Sequence, residues 1–169
     1  MEEGIGQEND DTVLLRSFSA PGLASLAATN NEQAFLDADA FRDLLMAALV
    51  YLEEERDIRG WWRDHGWLHS TAHTADLLKQ LAASPQLAQE DQETILLSIV
   101  DKLSRTNGYV YVYVWGEVDR LAAALLTLMA HQDFQVPAIE SMLAAMAEVR
   151  MSGTFDPQVF AALQNHRNL

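Results

Sequence analysis

The chain has 169 residues, 49% of them apolar and only four of them proline, which is the make-up of one packed domain with a substantial core, not of a disordered segment. Acidic residues outnumber Lys plus Arg by 25 to 11, and a net charge of −14 argues against nucleic acid and anionic membrane surfaces, which are held by basic side chains. With no cysteine, the chain has no disulfide, thiolate metal site or cysteine nucleophile.

The opening MEEGIGQENDD is acidic and lacks an apolar core, so no secretory signal is expected, and residues 1–10 read as a flexible tail. Asp10 or Asp11 can then cap a first helix carrying Val13, Leu14, Phe18, Leu23 and Leu26, which Pro21-Gly22 should kink or break. A second helix is predicted from an N-cap at Asp37 or Asp39. It runs through Phe41, Leu44, Leu45, Ala48, Leu49 and Leu52, an i, i+3, i+4, i+7 stripe, and ends in the charged run 53–57. Acidic clusters of this kind are expected to be solvated helix faces. In the connector RGWWRDHGW, Trp61, Trp62 and Trp67 are expected to pack onto the helix pair, with anchoring of an interface as the alternative.

A third helix is predicted over 67–83, with Leu68, Ala72, Ala75 and Leu78 on one face, and Ser84-Pro85 supplies a turn. The fourth, over 90–105, sets Ile95, Ile99 and Leu103 on one side and stops at Asn107-Gly108. Alternation in YVYVYVW would place Tyr109, Tyr111, Tyr113 and Trp115 on one face of an extended segment. That segment is expected to be a loop or small hairpin folded over the helices, or alternatively a strand paired with a second copy of the chain. A fifth helix over 117–131, a sixth over 137–150 and a short last one, capped by Asp156 with Pro157 in its first turn, follow. The longest apolar stretch, 121–130, is about half of the ~20 residues a membrane span needs, so no membrane is expected and the cytoplasm is the expected location.

The even-numbered helices start near positions 39, 90 and 137, a spacing a little above the ~40 to 47 residues of HEAT and armadillo repeats. The expected fold is therefore all-α: stacked antiparallel helix pairs in a HEAT-like α–α superhelix, with 11–169 as a single domain.

His69 and His73 lie four apart on the predicted third helix and Asp76 three further on, so the three would project from one side of it. Two imidazoles and a carboxylate at that spacing can hold a divalent metal, the one cofactor suggested here. Ser70, however, stands where zinc proteases carry their glutamate base. The plainer reading is that each histidine is hydrogen-bonded to a neighbouring carboxylate or carbonyl. Glu117 and Asp119 suit the positive end of the fifth helix, while Arg120, one turn in, can reach carboxylates of a neighbouring repeat, and Arg16 and Arg59 stand in comparable positions. If the odd-numbered helices stack in parallel, their leading ends share an edge. Arg16, Arg59, His69, His73, Asp76, Glu117 and Arg120 would then gather on one rim as a salt-bridge network or a binding site, with Trp67 the connector's candidate for the same site. The chain has no phosphate loop, dinucleotide fingerprint or GxSxG elbow.

Four segments, RSFSA (16–20), EERDIRG (54–60), GWLHSTAHTADLL (66–78) and GEVDRLAAALL (116–126), resemble a bacterial family known as domain of unknown function 2785. The resemblance spans 11–130 and is most specific in the GW-x-H-x-x-A-H-x-A-D string. It implies a helical, HEAT-like protein without an established activity, and it marks Arg16, His69, His73, Asp76, Glu117 and Arg120 as members of the family pattern. Relatives carry further helices before the RSFS segment, which implies an apolar face on the first helix pair that can drive self-association. These readings together favour a non-enzymatic repeat protein that binds a protein partner or another copy of itself. The alternative is a metal-dependent, hydrolase-like enzyme built on His69, His73 and Asp76.

Overall fold

The computed structural model describes residues 3–104, 111–131, 133–149 and 156–169. Among them the chain forms seven helices and one small hairpin: α1 (Thr12–Glu32), α2 (Ala38–Glu54), β1 (Trp61–Trp62), β2 (Gly66–Trp67), α3 (Ser70–Ala82), α4 (Gln89–Ser104), α5 (Glu117–Met129), α6 (Val136–Glu148) and α7 (Pro157–Asn168). The fold is thus all-α with a short extended segment, as the residue periodicities imply. No helix among the described residues is long and apolar enough to cross a membrane.

Capping chemistry sets several of the boundaries. The Asp10 carboxylate accepts the Thr12 N–H at 2.7 Å, Asp37 accepts that of Ala40 at 2.8 Å, and Asp156 accepts those of Gln158 and Val159, which relieves the unpaired donors of each first turn. Two expectations need correction. Pro21 does not break α1, which runs for 21 residues through it. A mid-helix proline costs ~3 kcal/mol, but Val13, Ala20, Ala24 and Ala27 are buried on both sides of it, and that packing keeps the helix continuous through it. Nor does α3 begin at Trp67. Residues 61–67 turn back on themselves as an antiparallel hairpin, Trp61 opposite Trp67, and the helix starts only at Ser70.

The helices pack in two layers. α3 lies between α1 and α5 in one, and α4 packs on α2, α6 and α7 in the other, with α2 crossing to α3. The core fills the space between, through Leu45, Leu49 and Leu52 of α2, Leu77, Leu78 and Leu81 of α3, Ile95, Ile99 and Leu103 of α4, and Leu121, Leu125 and Leu128 of α5. Each such leucine or isoleucine contributes ~1.5–3 kcal/mol by leaving water. Of the alternating segment, Tyr109 and Val110 lie outside the described residues, as do Asn107 and Gly108. Residues 111–114 form a loop, with no strand partner among the described residues. Asn165 of α7 straps it down, accepting the Tyr113 N–H at 3.0 Å and donating to the carbonyls of Tyr111 and Leu103.

Candidate functional site

The leading ends of α1, α3 and α5 meet, and a charged junction is buried beneath them. Arg16, on the second turn of α1, has no exposed surface. Its Nε donates to Glu55 Oε2 at 2.6 Å, its Nη2 to Glu55 Oε1 at 3.1 Å, and its Nη1 to Thr12 Oγ1 and the Glu3 carbonyl. Glu55 Oε1 also accepts the Asp57 N–H at 2.9 Å, and the Glu55 carbonyl accepts Lys102 Nζ at 2.8 Å. Burial pushes the Lys102 ammonium down to about 8 against the pull of Glu55, and lifts the Tyr51 phenol beside Glu55 far above its ordinary value. The next carboxylate, Asp57, is gripped by both Arg59 Nε at 2.7 Å and Nη2 at 2.5 Å, and its backbone carbonyl accepts the Ser70 hydroxyl at 2.6 Å. The charged run 53–57 is therefore not a solvated face throughout, because Glu55 and Asp57 are each 2% exposed and bolt the end of α2 to α1 and α3.

Above this junction the hairpin delivers the chain into α3. Leu68 N–H bonds the Gly60 carbonyl at 2.8 Å and His69 N–H that of Arg59 at 3.1 Å, so one residue must turn an extended strand into a helix. His69 does so at φ 49°, ψ 35°, a left-handed conformation uncommon outside glycine. His69 is therefore the residue before α3 and not a member of it, yet its ring still lies 6.0 Å from that of His73. Ser17 of α1 spends its single hydroxyl proton on the Leu68 carbonyl, so its 2.8 Å contact with His73 Nδ1 is made by the ring N–H donating to Ser17 Oγ. His73 Nε2 consequently carries the lone pair. Burial, first, and then the neighbouring His69 and Arg120 hold the His73 pKa below the ordinary imidazole range.

At α5, Gly116 in the left-handed region turns the loop into the helix and sets Glu117 at its first position. Glu117 Oε2 accepts the Trp115 N–H at 2.7 Å, and Oε1 faces His69 Nε2 at 3.8 Å with both residues buried. Neither of those two atoms has a hydrogen-bond partner, nor do the buried hydroxyls of Thr71 and Tyr111 nearby. Burial lowers the His69 pKa, opposed by Glu117, and pushes the Tyr111 phenol up to about 12. Asp76, one turn beyond His73, is paired with Arg120 at the half-exposed surface.

Aromatic rings cover these groups in an unbroken chain. Phe18 lies 5.1 Å from His73, His73 6.0 Å from His69, His69 4.5 Å from Trp67, and Trp67 5.6 Å from Trp115, edge to face. The Trp115 indole sits against Gly60 so closely that a Cβ there would clash with the ring at Cδ1, which explains why that position has no side chain. Despite these contacts Phe18, Trp67 and Trp115 remain 55%, 47% and 45% exposed, and Trp61 and Trp62 are as open, Trp62 beneath the Arg59 guanidinium at 5.1 Å.

The structure thus brings Arg16, Arg59, Trp67, His69, His73, Asp76, Glu117 and Arg120 to one region, but sorts them into separate partnerships. As donors to a metal, His69, His73 and Asp76 do not converge: Asp76 is held by Arg120, and His69 Nε2 faces Glu117. Among the described residues no group of three His, Asp or Glu side chains is placed to share an ion. Glu55, Asp57, Ser17 and Lys102 join the site without having been singled out by spacing, and Trp115 joins it after being named only for the alternation of YVYVYVW. Glu55 and Asp57 carry a signal only in lying within the EERDIRG segment, and Ser17 only in lying within RSFSA.

Fold and site together define an all-α protein whose aligned helix ends hold a charge-paired junction roofed by half-exposed aromatic rings. The chain belongs to the family described as protein of unknown function (DUF2785), whose model matches residues 1–169, beyond the segments between 11 and 130 that carry the resemblance. No curated protein and no solved structure matches the chain.

Proposed function

We propose that this protein is a helical binding module that engages a partner protein through the rim at the leading ends of α1, α3 and α5. The observation that carries this reading is the five-ring chain Phe18, His73, His69, Trp67, Trp115, three of whose members are about half exposed although each is fixed by ring contacts. Rigid aromatic side chains that are held in place yet open to solvent lose little entropy on contact and dominate interface energies. The polar groups below support a positioning role. Arg16, Arg59, Ser17 and Asp76 each have committed partners within the chain and hold the rim in shape.

The experiment is capture by tagged wild-type protein against Trp67→Ala and Leu143→Ala, the latter removing an exposed leucine on α6. Loss of a hot-spot ring costs ~2 kcal/mol or more, equivalent to roughly a 30-fold weaker complex. A partner retained by Leu143→Ala and lost by Trp67→Ala is the expected result. Sedimentation velocity of the purified chain shows whether that partner is a second copy. Equal capture by all three proteins would remove the basis of the proposal.

A further inference from the structure

Every other carboxylate of the junction holds a cation. Glu55 has Arg16, Asp57 has Arg59, and Asp76 has Arg120. Glu117 is the exception. It is 1% exposed, its Oε1 has no hydrogen-bond partner, and the group facing it is the Nε2 of a 7% exposed histidine that also lacks one. With its ring proton on Nδ1, a neutral His69 presents the Nε2 lone pair toward Glu117 Oε1. In that tautomer two desolvated acceptors stand 3.8 Å apart and repel unless a donor lies between them. One nitrogen held ~2.8 Å from each closes that triangle at about 85°. The unpartnered hydroxyl of Tyr111 lies close enough to Glu117 to feel its charge, and it can accept.

We propose that His69 and Glu117 form the receptor for the ammonium head of a lysine side chain presented by the partner protein, with the lysine stem lying across Trp67 and Trp115. The proposal rests on the binding-module reading above and names the partner's chemistry at that rim. A lysine supplies what the site lacks: one positive charge and several donors without an acceptor. The two indoles meet edge to face at 5.6 Å and are each about half exposed, which offers a cation and its methylenes aromatic surface. The ring stacked against His69 belongs to Trp67, which is half exposed and carried on a strand of two residues. A chain of net charge −14 favours a basic partner at long range.

The test is titration of the purified chain with N-acetyl-lysine amide at constant ionic strength, read by tryptophan fluorescence, with N-acetyl-norleucine amide as the uncharged match of the stem. The expected result is a saturable change with the lysine compound, at least 10-fold weaker with the norleucine compound and with Glu117→Gln, and retained in Asp119→Asn, an exposed acid on the same turn. No saturable response, equal responses to both compounds, or full binding by a folded Glu117→Gln protein would overturn the proposal, as would a ring-nitrogen spectrum showing His69 protonated at pH 7. If Glu117→Gln does not fold, the wild-type comparison of the two amides decides alone. Failure here with Trp67-dependent capture intact leaves the binding module standing and removes only the lysine. Lysine binding without Trp67-dependent capture does the reverse.

Discussion

Replacing Arg16 with methionine tests the buried junction directly. The substitution keeps the length and much of the volume of the side chain but removes four hydrogen bonds, two of them to a carboxylate whose side chain is 3% exposed. Deleting one member of a buried pair strands the other, at a typical cost of ~3–5 kcal/mol. The lower end applies here, because the Lys102 ammonium still reaches the Glu55 backbone carbonyl at 2.8 Å and offsets part of the stranded charge. For a chain of this size ~3 kcal/mol lowers the thermal midpoint by roughly 10 °C, at about 2–4 °C per kcal/mol. Urea unfolding followed by far-ultraviolet circular dichroism measures the loss. Glu55→Gln in the Arg16→Met background should recover at least ~1 kcal/mol, since glutamine removes the stranded charge while still accepting the Asp57 N–H. A loss below ~1 kcal/mol for Arg16→Met, or no recovery in the double variant, would refute the argument that a desolvated ion pair ties α1 to the end of α2.

Ser17→Ala leaves the Leu68 carbonyl and the His73 N–H without their partner and is expected to cost ~1–3 kcal/mol in the same assay, with the His73 ring-nitrogen resonances changed. Gly60→Ala drives a methyl group into the Trp115 indole, so it should cost ~1–3 kcal/mol and weaken the near-ultraviolet dichroism of the Trp67–Trp115 pair; an unchanged spectrum would contradict the close approach. His69, His73 and His166 are all held below the ordinary imidazole range, by burial before any other cause. With depressed folded-state values, the unfolded chain binds more protons once the pH drops below about 6.5. Stability is then full above that pH and declines as pH falls toward the folded-state values, by up to ~1.4 kcal/mol per pH unit for each histidine. Urea midpoints between pH 7.5 and 5 check this, and a flat profile would contradict it.

The parts of the fold legible in the sequence are those set by local chemistry. Asp37 and Asp156 announce the starts of α2 and α7, Pro157 occupies a first helical turn, and the apolar stripe of α2 marks its buried face. What the residues concealed depends on contacts distant in the chain. Pro21 lies within an unbroken helix because α3 packs along both sides of it, information that no window around residue 21 contains. His69 sits at helical spacing from His73, but backbone bonds from 68 and 69 to 60 and 59 make it the left-handed residue before α3, and its Nε2 faces Glu117 while Asp76 is held by Arg120. Glu55 looks like one more acid in a solvated run until Arg16, 39 residues earlier, is placed against it. Rim residues were nameable because leading helix ends gather where odd-numbered helices pack side by side. Their pairing was not, since one arginine in sequence looks as able as another to meet a given carboxylate.

The rim as a contact surface is tested most directly by site-specific photocrosslinking in cells, with p-benzoylphenylalanine in place of Phe18 or, as the control, in place of Phe35. The two phenylalanines are almost equally exposed, at 55% and 56%, and lie near the leading and trailing ends of α1. A discrete crosslinked product from position 18 and none from position 35 is the predicted result. A product from position 35 alone, the same products from both, or none from position 18 would contradict the assignment of this rim as the place where the protein meets its partner.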